Sequence, residues 1–229
     1  MAIAFDAVNG SVSFFGGGPA ETATIPLTIA GNSNRILCVF IKVIINNTSP
    51  SNVKWSTSTQ DYTLQGGYQI TGAGSDDYWF YYLLNPEAIN GSVKYVIGTS
   101  NITYTAVYSY YNVEQVAPDS TTFLLDTGTS TDWVLSNVTS VNNSWVIGAV
   151  FVSENVTYDT VVGTERFEFL DPFFSSDSLS ASDNGPIVTA GATTIEGTIS
   201  SSSDWFGISI VITPDSQPTT ILARPMYFK

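Results

Sequence analysis

Helical periodicity is absent from almost the whole chain, and this restricts the fold more than any other feature of the sequence. Short runs rich in Val, Ile, Thr, Tyr and Phe are separated by Gly, Asn, Ser, Asp and Pro, a pattern that predicts strands joined by turns. No low-complexity linker divides the 229 residues. The sequence therefore predicts an all-β protein: a single jelly-roll-like β-sandwich over residues 1–214, followed by a C-terminal arm at residues 215–229.

The aromatic run SDDYWFYYLL, residues 75–84, is the strongest single strand signal. Period-two alternation places its large side chains on two opposite faces: Tyr78, Phe80 and Tyr82 on one, and Trp79, Tyr81 and Leu83 on the other. Rings that alternate between faces cannot form one flat platform. We therefore expect a core strand, and the alternative is a sugar-binding face made by the outward set of rings.

Charge excludes two classes of partner. The formal net charge is −13, with only 7 Lys and Arg residues, so nucleic-acid binding and attraction to an anionic membrane surface are not expected. Charged residues make up 12% of the chain, which leaves Ser, Thr, Asn, Gln and Tyr to form the surface. A neutral polar surface of this kind favours an outside-facing or virion protein.

The residue inventory argues against common catalytic chemistry. The chain has no histidine, which removes the commonest general base and histidine-ligated zinc. The single cysteine, Cys38, lies in an apolar run and is expected to be inert core packing. We expect no enzyme activity and no cofactor.

The sequence predicts neither a secretory signal nor a transmembrane segment. The N-terminal residues lack a basic segment and a long apolar segment, so no secretory signal is predicted. The longest apolar stretch, residues 36–45, is interrupted by Lys42 and is too short to cross a bilayer. We therefore expect no membrane insertion. Either a signal has been removed from the chain, or the protein leaves the cell inside a virus particle, and Met1 running directly into domain-like sequence favours the second.

Two acidic segments contain candidate residues for catalysis or metal binding. Glu165 and Glu168 are three residues apart, which predicts opposite faces of a strand and argues against a glycosidase carboxylate pair. Asp171, Asp177 and Asp183 fall in a Ser-rich segment predicted to be a loop. That loop is either a calcium site or a set of solvated turns.

Eight Asn-x-Ser/Thr triplets are candidate glycosylation sites, several of them at predicted strand ends. Crowding of Asn, Ser and Thr into turns explains them equally well. The asparagines are Asn9, Asn46, Asn47, Asn90, Asn101, Asn137, Asn142 and Asn155.

The order of several segments resembles a β-sandwich domain, mostly of unassigned function, that recurs in bacteriophage tail and structural proteins and in cell-surface proteins. The matching segments are AFDA at residues 4–7, SNRILCV at 33–39, WFYYLLNP at 79–86, GSVKYV at 91–96, AVYSYYNV at 106–113 and WFGISIVI at 205–212. The resemblance covers residues 2 to about 213, and its motifs are structural rather than catalytic. The resemblance implies a sandwich fold and a surface or virion role.

The C-terminal arm is too apolar for a solvated end, and Pro218 and Pro225 disfavour a central strand or helix. We expect it to dock on a partner, with an arm folded back on its own domain as the alternative. Its candidate docking residues are Ile221, Leu222, Arg224, Met226, Tyr227 and Phe228.

These observations predict a virion structural or attachment protein, such as a turret, spike or capsid decoration subunit, exposed on the particle exterior. Its expected partners are copies of itself, other virion or surface proteins, and host-surface glycans. The alternative is a carbohydrate-binding or adhesion module of a cell-surface protein or extracellular filament.

Overall fold

The computed structural model describes residues 1–14, 21–44, 49–71, 76–98, 102–152, 154–170 and 177–215. Within these ranges the chain forms antiparallel strands and one 3₁₀ turn, Ser120–Thr122, so the all-β prediction is confirmed. The strands are β1 Ala4–Phe14, β2 Glu21–Thr28, β3 Ile36–Ile44, β4 Ser51–Thr57, β5 Asp61–Thr63, β6 Gln65–Thr71, β7 Asp77–Leu84, β8 Asn90–Ile97, β9 Ile102–Tyr111, β10 Leu124–Val138, β11 Ser144–Val152, β12 Tyr158–Val162, β13 Thr164–Leu170, β14 Ser178–Ile187 and β15 Ala192–Ile212.

Strands β1–β9 form one jelly-roll unit, here called the N-terminal unit. Its inner sheet has the order β1-β9-β3-β7-β6, and its outer sheet has the order β2-β8-β4-β5. With β6 counted as an added edge strand, the other eight strands have jelly-roll order: successive strands alternate between the sheets, except that β4 and β5 are neighbours in the outer sheet. The predicted jelly-roll-like sandwich is therefore present in the first half of the chain.

Strands β10–β15 repeat this arrangement as a C-terminal unit. Its inner sheet has the order β10-β15-β11-β14-β13. When only the five inner-sheet strands of each unit are numbered along the chain, both sheets have the order first, last, second, fourth, third. The outer layer uses the second half of β10, the first half of β15 and β12, with β12 paired to β15. The structure thus contains the expected jelly-roll sandwich twice, where one was predicted.

Two long strands of the C-terminal unit each serve both of its layers. The β10–β15 ladder passes from the Ser130–Ser203 pair to the Asp132–Thr198 pair, so residues 199–202 of β15 stand opposite residue 131 of β10. This large bulge lets the hairpin turn from the inner sheet onto the outer layer. Sequence patterning predicts two separate short strands in each case because the bulge breaks the alternation.

The two inner sheets pack face to face and enclose the largest core. The N-terminal unit contributes Phe40, Phe80 and Tyr108, and the C-terminal unit contributes Phe151 and Ile208, all with at most 1% exposure. The tyrosine rings cross the interface: Tyr78 stacks near Phe206, and Tyr110 meets Trp145 edge to face at 5.6 Å. Both units therefore share one hydrophobic interior.

The aromatic strand predicted at residues 75–84 is β7, which lies between β3 and β6 in the inner sheet of the N-terminal unit. Phe80 is fully buried between the inner sheets, while Trp79 and Tyr81, at 8% and 9% exposure, are covered by the outer sheet. The predicted alternation is confirmed, and both faces are covered. The alternative sugar-binding face of outward rings is wrong because those rings pack beneath β4 and β8.

A third core closes the C-terminal unit. Leu135 of the outer layer reaches the inner sheet at two glycines, where an added Cβ on Gly148 or Gly207 would lie 2.5 Å or 2.1 Å from its methyl groups. Glycine is therefore required at both positions for the layers to approach this closely. Cys38 is fully buried in the interface between the units, and burial raises the pKa of its thiol, as expected for packing rather than reactivity.

Candidate binding site

One buried lysine joins the two units. The Lys42 ammonium is 1% exposed and lies 3.4 Å from the Asp76 carboxylate and 3.8 Å from that of Asp177. It also lies 5.7 Å from the ring centroid of Tyr104. Burial raises the pKa of Asp76, and the Lys42 charge opposes that rise. These contacts give Lys42 a structural role at one end of the interface.

A second charged cluster crosses the same interface. The Asp183 carboxylate, 1% exposed, accepts hydrogen bonds from the Tyr110 hydroxyl at 2.7 Å and from Arg166 Nε at 2.8 Å. Burial raises the pKa of Asp183, and the bonds from Arg166 and Tyr110 oppose it. The Arg166 guanidinium stacks 4.2 Å above the Phe5 ring of the other unit.

The segment predicted to be a Ser-rich loop, either a calcium site or a set of solvated turns, is largely a buried strand. Residues 178–187 form β14 in the middle of an inner sheet. Asp177 faces Lys42 and Asp183 faces Arg166, so neither carboxylate is placed as a loop ligand. Among the described residues no group of three or more acidic, Cys or His side chains is placed to hold a metal ion. Asp171 lies outside those residues.

Glu165 and Glu168 lie on the same face of β13, so the prediction of opposite faces is wrong. Glu165 pairs with Ser182 and Glu168 pairs with Ser180, while Arg166 is part of a β-bulge between them. The bulge absorbs one residue, which places the two glutamates two paired positions apart on one side of the strand.

Both glutamates are hydrogen-bonded to neighbouring strands. Glu165 Oε2 accepts from the Ser180 hydroxyl at 3.3 Å, and Glu168 Oε1 accepts from the Tyr158 backbone N–H at 3.0 Å. Burial raises the pKa of Glu165, and the nearby Glu168 charge adds to the rise. The geometry gives the pair a role in holding β12, β13 and β14 together.

The candidate glycosylation sites differ in access. Asn137 is 4% exposed, and its Nδ2 donates to the Thr122 carbonyl and to the Ser209 hydroxyl, so a glycan there is incompatible with the fold. Asn9 is half-buried and its Nδ2 donates to the Pro26 carbonyl at 2.6 Å. Exposed sequons are Asn90, Asn142 and Asn155, and Asn46, Asn47 and Asn101 lie outside the described residues.

The start of the predicted C-terminal arm is fixed to the N-terminal unit. The Asp215 backbone N–H donates to the Asn112 carbonyl at 2.9 Å, and its carboxylate accepts from Asn34 Nδ2 at 2.7 Å. The six candidate docking residues, Ile221, Leu222, Arg224, Met226, Tyr227 and Phe228, lie outside the described residues.

A polar pocket lies on the solvent face of the N-terminal outer sheet. It has a cavity volume of about 420 Å³. Alternation directs Val53, Trp55, Val93 and Tyr95 inward and leaves the neighbouring residues of β4 and β8 on the outer side. The lining residues are Thr22, Asn52, Lys54, Asp61, Thr63, Lys94, Tyr95 and Val96.

Two lysines stand side by side in this pocket, because Lys54 of β4 pairs directly with Lys94 of β8. The Lys54 ammonium contacts the Asp61 carboxylate at 2.6 Å. That hydrogen bond is the largest of the effects that lower the pKa of Asp61. Lys94 has no hydrogen bond or ion pair with any residue that the structure describes.

Sequence reasoning missed this pocket. Each lysine alternates with buried residues, which identifies it as outward-facing, but only the β4–β8 register brings the two together. A bulge between Ser51 and Lys54, with Asn52 at a φ of 51°, sets that register. Bulges of this kind leave little trace in one sequence.

Comparison with known proteins gives a distant likeness. No family model matches the chain, and no curated protein matches it. A solved structure named "Crystal Structure of the STIV MCP" matches over 90% of this chain and 97% of that chain, with 9% identity and a TM-score of 0.24. Because this TM-score is low, the likeness carries no argument about the fold, which is assigned from the strand order described above. In the described part of the chain, no helix has the length and apolar character needed to span a membrane.

Proposed function

We propose that this protein is a non-enzymatic virion structural or attachment protein, a turret, spike or capsid decoration subunit that self-associates on the particle exterior. The observation that carries the proposal is the interface between the two jelly-roll units. It combines a continuous aromatic core with the Lys42 and Asp183 clusters, both of which bridge the units. A rigid two-unit block of this kind suits a load-bearing shell component.

Surface chemistry supports exposure and self-association. Charged residues are 12% of the chain, so the outer sheets present mainly hydroxyl and amide groups. Several valines are nonetheless well exposed, with Val138 at 61%, Val161 at 67% and Val188 at 72%. Strands β5 and β6 end their sheets and offer edges to which a neighbouring copy can add a strand.

The chain's place in a particle is tested by mass spectrometry and reconstruction of purified virions. We expect stoichiometric amounts of this chain and density for the two-unit block on the particle exterior. Absence from purified virions would contradict the proposal.

The C-terminal arm provides a second test. Deleting residues 219–229 should leave a folded monomer that no longer assembles, measured by circular dichroism and by light scattering after size exclusion. Normal assembly of this truncation would contradict an assembly role for the arm, and loss of folding would favour an arm folded back on its own domain.

The non-enzymatic part of the proposal is tested with a polysaccharide panel. We expect no turnover, because both glutamates of the same-face pair are hydrogen-bonded to neighbouring strands. Turnover that disappears in Glu165→Gln or Glu168→Gln would overturn it.

A second candidate function is a carbohydrate-binding or adhesion module of a cell-surface protein or extracellular filament. The pocket that contains Lys54 and Lys94 favours it, since pockets of a few hundred Å³ with convergent polar groups are typical ligand sites. Presence in virions separates the two candidates.

A further inference from the structure

The distribution of cations over the molecule is uneven. Among the described residues, Lys42 and Arg166 are committed to the interface between the units. Arg35 donates to the backbone carbonyls of Pro86 and Asn32. The two remaining cations, Lys54 and Lys94, stand together on one outer face. In a chain with a net charge of −13, the Lys and Arg side chains that the structure describes outside the interface and the Arg35 contacts are therefore gathered at this pocket.

This pairing opposes the electrostatic preference of a sheet. Like charges directly opposite each other on neighbouring strands are destabilising. The Asp61 charge interacts with both lysines, but its carboxylate forms an ion pair only with Lys54. Its carboxylate lies 2.6 Å from Lys54 Nζ, and no described residue provides the same contact to Lys94. Among the described residues, one carboxylate is thus shared by two lysines, and only Lys54 is in direct contact with it.

The other lining groups indicate the rest of the ligand. Thr22, Asn52 and Thr63 are exposed and supply hydroxyl and amide groups, which are the partners that sugar hydroxyls use. Tyr95 is fully buried beneath the pocket, with its hydroxyl bonded to Thr103 and Thr105. Since the lining offers no exposed ring, stacking on a neutral sugar is disfavoured, and recognition must come from charge and hydrogen bonds.

We propose that this pocket binds an acidic saccharide, with the acid group of the sugar paired to Lys94 and its hydroxyls meeting Thr22, Asn52 and Thr63. The acid group forms with Lys94 the ion pair that Asp61 forms with Lys54. The inference deepens the attachment role proposed above and rests on it. A uronic acid and a sulfated sugar share the chemistry, and the experiment separates them.

The test is isothermal titration calorimetry of the purified chain with three probes: a galacturonic acid tetrasaccharide, a heparin tetrasaccharide and a neutral galactose tetrasaccharide. We expect binding of an acidic probe and none of the neutral one, and the probe that binds identifies carboxylate or sulfate as the acid group. Lys94→Gln should weaken binding by about tenfold or more, and Lys94→Arg should retain it within about threefold. Circular dichroism checks the fold of each variant.

Lys54→Gln is the second variant and should also weaken binding, because it leaves the Asp61 carboxylate without its cation and adds repulsion. The inference is overturned if neither acidic probe binds at about 5 mM, if the neutral probe binds equally well, or if Lys94→Gln changes nothing. If mass spectra still find the chain in purified virions, such a result removes the pocket proposal and leaves the virion role unaffected. Acidic-probe binding by a chain absent from virions would instead remove the virion role and keep the site.

Discussion

The Tyr110 hydroxyl donates a 2.7 Å hydrogen bond to the Asp183 carboxylate, across the interface between two units that repeat the same strand order. Both residues are buried, and the carboxylate is also held by Arg166 from its own unit. Because the bond links β9 to β14, it reports directly on how firmly the two halves of the chain are joined.

Removing this hydroxyl should loosen the interface. We expect Tyr110→Phe to lower the free energy of unfolding by about 1–3 kcal/mol, since a buried charged acceptor loses one donor. Guanidinium denaturation provides the measurement. Tyr111→Phe, one position along the same strand and half-buried, is the matched control and should change stability by less than about 0.5 kcal/mol. Equal effects of the two variants would contradict a special role for Tyr110.

Stability should rise as the solution is made mildly acidic. Burial raises four carboxyl pKa values, those of Asp76, Asp126, Glu165 and Asp183. The pKa values of Asp61 and Asp119 are lowered and act in the opposite direction, but both side chains are exposed and solvent screens their contribution. Between the ordinary carboxyl pKa and each raised value the folded protein binds more protons than the unfolded chain. The free energy of unfolding therefore increases as pH falls from 7 through that window.

The measurement is the free energy of unfolding at pH 7 and at about pH 4.5. Relief of repulsion within a chain of net charge −13 acts in the same direction. Asp126→Asn should reduce the pH slope, because that side chain no longer takes up a proton as the pH falls. A protein that is less stable at pH 4.5 than at pH 7 would refute this expectation.

The contact of Leu135 with Gly207 should appear as energetic coupling. Gly207→Ala places a methyl against Leu135 and should cost about 1–3 kcal/mol. Leu135→Ala opens a cavity and should cost about 2–5 kcal/mol. In the double variant the new methyl enters the vacated space, so the total cost should fall below the sum of the two.

The matched control for this cycle is Gly31→Ala, because an added Cβ there meets no atom within 4 Å. It should be close to neutral in both backgrounds. Strict additivity of Gly207→Ala and Leu135→Ala would show that the two side chains do not share the space as described.

Glycan occupancy should follow access rather than the sequon pattern. When the chain is produced in a eukaryotic secretory host, peptide mapping should find glycans only at exposed sequons such as Asn142 and never at Asn137. The reason is that Asn137 Nδ2 already donates two hydrogen bonds inside the fold. Asn142→Gln should remove one glycan mass without loss of folding, and an occupied Asn137 in folded protein would contradict the structure.

Strand content and the aromatic strand could be predicted because alternation is a local signal. The run from Tyr78 to Tyr82 alternates without interruption, and the structure divides it between two cores as the pattern indicates. The β14 segment carried the same signal in a weaker form. Ser178, Ser180 and Ser182 alternate with Leu179 and Ala181, as expected for a strand. Small polar side chains are also common in loops, so the composition of the segment predicts a loop in spite of this alternation.

Features that depend on register could not be predicted. The bulge at Arg166 reverses the expected relation between Glu165 and Glu168, and the β4–β8 register creates the Lys54–Lys94 pair. The duplication was hidden for a related reason. The two units share strand order but differ in strand length. In the C-terminal unit, β10 and β15 each run through both layers, whereas the N-terminal unit uses two separate strands for each of these positions.

The closing strand pairs of the two units also determine when the chain can fold. Ala4 pairs with Tyr111 and Leu124 pairs with Ser209, so each unit closes only after most of its own length has left the ribosome. Such high contact order predicts slow folding. Until β15 arrives, the inner face of the first unit, with Phe40, Phe80 and Tyr108, has no cover. We therefore expect the first half to expose this aromatic surface during synthesis, and transiently exposed apolar surface promotes aggregation of folding chains.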